Sequence, residues 1–196
     1  MKTQAKRTYT MRSRADSVER TRQEIVDAAF ALCEERVTFM INLADVADRA
    51  GVTIRTILRH FGTRDGLFRA VGDYARGLVA EERVAPVGDI DAAVRSVVDH
   101  YEKRGRHALR MIEEEGLDPN IADNVRYGRR FHRDWVRTTF APQLARVEEA
   151  DELLDLLVIA TDLYTWKLLR LDMGLSRRRT EQRITTMIRR LAGEGA

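Results

Sequence analysis

Apolar residues recur along this chain at spacings of three and four, and few stretches alternate with a strand's period of two, so the pattern predicts helices almost throughout. The sharpest signal is residues 43–61, LADVADRAGVTIRTILRHF. Leu43, Val46, Ala47 and Ala50 fall at i, i+3, i+4 and i+7, one face of a short helix. Gly51 then supplies the backbone freedom for a sharp turn. Thr53 is a good N-cap, after which Ile54, Ile57, Leu58 and Phe61 repeat the spacing. This second helix is expected to bury residues 54, 57, 58 and 61 and to present Arg55, Thr56, Arg59 and His60 outward. Two arginines four residues apart on the open face of a helix that packs on another suit the major groove of DNA. The stretch reads as a helix-turn-helix.

The remaining segments extend the pattern. Ile25, Ala28, Ala29, Leu32 and Cys33 set the stripe of a first helix over about residues 16–35. Thr63 caps a further helix with Leu67, Phe68, Val71, Ala75, Leu78 and Val79 on one face, and Ala85-Pro86-Val87-Gly88 breaks it. Ile90, Val94, Val97, Val98 and Tyr101 mark the next helix, with a turn expected at Arg104-Gly105 and a shorter helix over about residues 106–115. After Gly116-Leu117-Asp118-Pro119 a long helix runs to about Phe140, with Tyr127, Phe131 and Trp135 at four-residue steps. Residues 151–172 form the most apolar helix, ended by Gly174. Ser176 or Thr180 opens a last helix carrying Ile184, Met187, Ile188 and Leu191. The expected fold class is all-α.

With 196 residues, 44% hydrophobic and 33% charged, the chain has the balance of a soluble globular protein. The net charge of +3 says less than its distribution. Lys2, Lys6, Arg7, Arg12 and Arg14 stand in the first fourteen residues without an acid, so residues 1–15 read as a disordered basic arm that meets phosphate, or else as a solubilising tail. The single cysteine, Cys33, excludes a disulfide framework and a cysteine metal cluster. His60, His100, His107 and His132 show no metal-ligand spacing, and no phosphate-binding glycine loop, nucleophile elbow or Cys–His pairing is present. Asp162 in its apolar helix is a lone carboxylate, which does not make an active site. No catalytic residue, metal or cofactor is expected. The absence of an apolar run of ~18 residues and of a signal-peptide segment points away from a membrane and to the cytoplasm.

Three stretches in register carry a family resemblance: RQEIVDAA from Arg22 to Ala29, the helix-turn-helix itself, and GTRDGLFRAV from Gly62 to Val71. Together they resemble the DNA-binding domain of the tetracycline-repressor (TetR) family of bacterial transcription regulators, and DLYTWKLLRLDMGLS from Asp162 to Ser176 is similar to the penultimate helix of many members. The resemblance implies a three-helix helix-turn-helix DNA-binding domain over residues 16–62 and a helical effector-binding and dimerisation domain over residues 63–196. Two departures stand out. The family usually has an aromatic, often Tyr, whose hydroxyl contacts a DNA phosphate where Leu58 stands here. Its common Lys is replaced by Arg64, which keeps the charge and adds a fork suited to phosphate. A glycine that often follows the first helix is also missing near Arg36-Val37.

The candidate DNA contacts are Thr53, Arg55, Thr56, Arg59, His60 and Arg64. Arg55 is the base reader, by bidentate bonding to guanine, or else lies against phosphate. Thr53 and Thr56 approach bases near the helix N-terminus, although Thr53 can equally serve only as a cap. Arg59, His60 and Arg64 are expected to position the DNA backbone. Tyr101, Met111, Phe131, Trp135 and Tyr164 are the candidate walls of a pocket for a small apolar or aromatic effector, each of them also suited to ordinary core. The arginines at 126, 129, 130, 133 and 137 read as a solvated face that could also meet an acidic ligand. Leu153, Leu154, Leu156, Leu157, Val158, Ile159 and Ala160 make a helix apolar nearly all round, which needs cover on two sides: the resemblance implies a homodimer interface there, and the alternative is a central helix in a monomer core. The expected protein is a sequence-specific regulator, by family default a repressor, released from a palindromic operator by a ligand. The alternative is a helical ligand- or partner-binding regulator with only nonspecific DNA affinity.

Overall fold

Asn42 opens the helix-turn-helix by accepting from the N–H groups of Ala44 (2.8 Å) and Asp45 (3.0 Å). The Asp45 carboxylate returns the favour to the Asn42 N–H at 2.8 Å, so two otherwise orphaned donors are satisfied reciprocally. In the computed structural model, which describes residues 3–194 with side chains from Asp16 onward, this cap starts α2 (Leu43–Ala50). Gly51 ends α2 at φ 65° and ψ 31°, left-handed backbone that a Cβ resists. Thr53 then caps α3 (Ile54–Phe61), its Oγ1 accepting from the Thr56 N–H at 3.2 Å. The preceding helix α1 (Thr3–Glu35) packs on α2, and α2 packs on α3. It starts at Thr3 rather than near residue 16, and the side chains of the basic arm read over residues 1–15 lie outside the described residues.

The chain divides into two compact units, residues 1–75 and 76–196, with the boundary inside α4 (Arg64–Glu82). Thr63 caps α4 as expected, accepting from the Gly66 N–H at 3.0 Å. Ile25, Val46, Ile57 and Leu67 are sealed in the core of the first unit. Helix α3 departs from its expected burial: Ile54 is 43% and Leu58 40% exposed. A helix turns ~100° per residue, so Leu58 stands well round from the sealed Ile57, toward the face that carries Arg55 and Arg59.

In the second unit α5 (Ile90–Glu113) passes through Arg104-Gly105 without the expected turn. Gly105 serves close approach instead. A Cβ there would lie 2.6 Å from Cζ3 of Trp166, so its absence lets α5 seat against α9 (Leu163–Lys167). Asp118 and Pro119 start α6 (Pro119–Thr139), with the Asp118 carboxylate accepting from the Asn120 N–H at 2.7 Å. A short α7 (Ala141–Leu144) follows.

The helix expected over residues 151–172 is broken into α8 (Ala150–Ala160), α9 and a π-helical turn (Leu168–Asp172). Side chains compete with the backbone at the break: Thr161 Oγ1 donates to the Leu157 carbonyl at 2.7 Å, and Asp162 caps α9 by accepting from the Tyr164 N–H at 2.8 Å. Ser176, rather than Thr180, caps α10 (Arg177–Leu191). Helix α10 packs on α5 and α8, α6 packs on α5 and α8, and Val97, Val98, Phe140, Leu157 and Ile188 lie sealed among them. No strand occurs among the described residues, and none of their helices is long and apolar enough to cross a membrane.

Candidate nucleic-acid interface and helical cleft

The outer face of α3 carries Arg55 and Arg59 exposed, one helical turn apart, flanked by the exposed Ile54 and Leu58. Thr53 and Thr56 are joined at the start of the helix, with their hydroxyl oxygens 3.0 Å apart. Thr53 therefore acts as a cap, while the half-buried Thr56 holds it in place. His60 is half-buried, and its Nε2 is shielded from solvent without a hydrogen-bond partner. The scaffold behind this face is tied by Arg49, which bonds both carboxylate oxygens of Glu35 at 2.9 and 2.6 Å, and by Arg36, 3.3 Å from Asp45. The Arg49 bond and charge hold the exposed Glu35 carboxyl below its ordinary value. Arg22 lies over the Phe61 ring at 4.9 Å and so links α1 to the end of α3.

Arg64 differs from the open phosphate contact that its charge suggested. Its guanidinium turns inward over the Phe68 ring at 4.3 Å and donates to the carbonyls of Ile41 (3.0 Å), Thr38 (3.2 Å) and Phe39 (3.4 Å). It thus clasps the 3-10 turn Thr38–Met40 that leads into α2, a structural use of the same planar fork.

The second unit holds a cleft of about 340 Å³ lined by Phe131 and Trp135 together with Ala80, Arg83, Val84 and Thr138. Of the five expected pocket residues, Phe131 and Trp135 line it. Tyr101 lies behind it, buried, with its hydroxyl donating to the Thr161 carbonyl at 3.2 Å; burial pushes that hydroxyl up to about 12. Met111 and Tyr164 do not line this cleft. Met111 is ten residues beyond Tyr101 on the unbroken α5, ~15 Å along the axis. The cap at Asp162 re-phases α9 so that Leu163 and Trp166 face inward and Tyr164 outward.

Sequence reasoning missed Arg83. It is buried, with its guanidinium 4.1 Å from the Trp135 ring centre and 5.8 Å from those of Tyr101 and Phe131. Its carbonyl accepts from Trp135 Nε1 at 2.6 Å. Arg83 Nη2 lies 3.0 Å from His132 Nδ1, and a guanidinium can only donate, so Nδ1 accepts. The His132 proton therefore sits on Nε2, which donates to the Val158 carbonyl at 3.3 Å. Burial first, then the Arg83 charge, pushes His132 down to about 3. His100 is pushed down to about 4 by burial, against the pull of Glu82, to which its Nδ1–H donates at 2.9 Å. Burial works to raise Glu82, but the bonds from Arg104 and His100 hold it below its ordinary value. One signal marked Arg83 in the sequence: with Ala75 and Val79 it continues the four-residue stripe of α4's buried side.

Solved structures share this fold. A transcriptional regulator from Rhodococcus sp. RHA1 superposes with a TM-score of 0.67 at 19% identity, over 88% of this chain and 96% of that one. A tetR-family transcriptional regulator from Streptomyces coelicolor gives 0.67 at 14% identity, over 91% and 90%. No curated protein matches the sequence. Residues 25–71, which hold the helix-turn-helix, match the family model for bacterial regulatory proteins of the tetR family. Residues 25–71 thus carry the helix-turn-helix domain of the tetR family. That domain is a DNA-binding domain of transcriptional regulators, and α3 is the helix that the resemblance marks for DNA recognition. On that helix Leu58 presents an exposed apolar group with no hydroxyl for a phosphate. Among the described residues no group of three or more His, Cys, Asp or Glu could hold a metal ion.

Proposed function

We propose that this protein is a sequence-specific repressor of the TetR family that acts in the cytoplasm, binds a palindromic operator as a homodimer, and is released by a small-molecule effector. One observation carries the reading: a capped recognition helix, braced by α2, holds Arg55 and Arg59 on its open face. Arg55 reads guanine, a contact worth roughly 1–3 kcal/mol of discrimination. Thr56 borders the bases, Thr53 caps the helix, and Arg59 and His60 position the phosphate backbone. Arg64 contributes indirectly, through the turn it clasps.

Dimerisation is supported by a row of exposed apolar side chains, Leu156, Ile159, Tyr164, Leu168 and Met173, on α8, α9 and the turn after them. A soluble monomer has little reason to leave such a patch in water. The effector site is the cleft at Phe131 and Trp135, with Tyr101 behind it; Met111 and Tyr164 stand outside the cleft. Coupling runs through α4, which begins in the DNA-binding unit and ends at Glu82, between the cleft residues Ala80 and Arg83. An effector that prefers one arrangement of α4 by ~1–3 kcal/mol would shift operator affinity accordingly.

Footprinting on DNA upstream of the protein's own gene tests the reading. The expected result is two protected half-sites one helical turn apart, ~34–36 Å between centres, with both protections lost together when the protein is diluted. Uniform, salt-sensitive protection of any DNA would instead favour the alternative, a helical regulator with only nonspecific affinity, for which Leu58 supplies the motive.

A further inference from the structure

Arg83 is a buried cation that the fold answers only in part. It is 4% exposed and makes no ion pair among the described residues; the Asp162 carboxylate acts on it only from beyond ion-pair distance. The faces of Trp135, Tyr101 and Phe131 and the neutral His132 surround its guanidinium, and its Nε–H, shielded from solvent, has no hydrogen-bond partner. An unmet buried donor and an unpaired buried charge both weigh against stability. A protein that keeps such a group beside an open cleft has the makings of a site for an anion.

The rest of the cleft describes the body of that anion. Val84, Phe131 and Trp135 make it largely apolar, with Thr138 as a polar edge. Asp134 also borders it, but this exposed carboxylate is already paired with Arg137 at 2.6 Å. We propose that the cleft takes a small organic acid, one carboxylate on an apolar or single-ring body, and that Arg83 reads the carboxylate. A single guanidinium meets one negative charge with geometry that matches a carboxylate. Phosphate, with its larger charge, would remain under-neutralised here, since Arg83 is the one cation lining the cleft. A volume of about 340 Å³ is at the small end for ligand sites, which excludes bulky polycyclic bodies. The regulatory consequence of this binding rests on the effector reading above; the binding itself does not.

The test compares 4-phenylbutyrate with its neutral counterpart 4-phenylbutanol on the full-length protein, read by quenching of tryptophan fluorescence and by thermal shift. Wild type is expected to bind the acid at least tenfold more tightly than the alcohol. Arg83→Met is expected to lose that preference while melting no lower than wild type, because it removes an unpaired buried charge. Should Arg83→Met fail to fold, Val84→Trp, at a position 75% exposed on the cleft wall, is expected to fold and to block the acid. Equal binding of acid and alcohol, binding of neither up to millimolar concentration, or acid binding undiminished by Val84→Trp would overturn the proposal. Operator affinity measured in the same samples separates the two readings. An acid that binds through Arg83 without loosening DNA sinks the effector reading alone, whereas DNA release by the alcohol with the acid inert sinks this one alone.

Discussion

Arg55, Arg64 and Arg83 carry the same guanidinium, and their surroundings assign each a different task. Arg55 stands off the apolar stripe of a short helix, so periodicity alone exposed it. Arg64 follows a capping threonine, where a surface role was the natural reading; the carbonyls that hold it belong to residues 38, 39 and 41, which no local pattern brings near. Arg83 sits on the buried stripe but directly after Glu81-Glu82, a run that reads as surface. Glycine was ambiguous in the same way. Gly51 is required by its positive φ, whereas Gly105 is required by Trp166, sixty-one positions along the chain. Gly105→Ala is therefore expected to destabilise the protein by about 1–3 kcal/mol through overpacking. Urea unfolding followed by tryptophan fluorescence measures this, and an unchanged midpoint would show that Trp166 yields freely.

At the scale of elements, α3, α4 and α10 are legible by period and cap, at Thr53, Thr63 and Ser176, whereas the caps that Asn42 and Asp118 supply to α2 and α6 emerge only in the structure. The break at Thr161-Asp162 is not legible in the pattern, because continuous hydrophobicity hides a side-chain competition for the backbone. That break decides which residues of α8 and α9 face outward. Ile159, 62% exposed, stands in the outward row. Under the proposed homodimer, Ile159→Glu is expected to keep the fold and its melting temperature but to run as a monomer, with loss of operator binding at nanomolar protein. Light scattering on the eluting protein decides it, and a variant that stays dimeric would move the interface elsewhere.

For the whole molecule, two histidines held neutral in the fold set its response to acid. His132 is pushed to about 3 and His100 to about 4, against an ordinary 6.5 in the unfolded chain. Below pH 6.5 the unfolded chain takes up protons that the folded one refuses, so stability falls with pH through that window and is fully present above it. Each histidine contributes at most about 1.4 kcal/mol per pH unit, ending near pH 4 for His100 and near pH 3 for His132. Melting at pH 7.5 and 5 should show the loss, and His132→Gln should reduce it; a melting temperature flat across this range would mean that water reaches both rings. The DNA reading proposed for the exposed face of α3 is independent of these histidines. The measurement that tests it most directly is fluorescence anisotropy with promoter and scrambled DNA at two salt concentrations, for wild type and Arg55→Ala. The account predicts a preference for promoter DNA that survives at the higher salt and collapses in Arg55→Ala, while the weaker, salt-sensitive binding to scrambled DNA changes little. Equal affinity for both DNAs, or a preference that Arg55→Ala leaves intact, would contradict it.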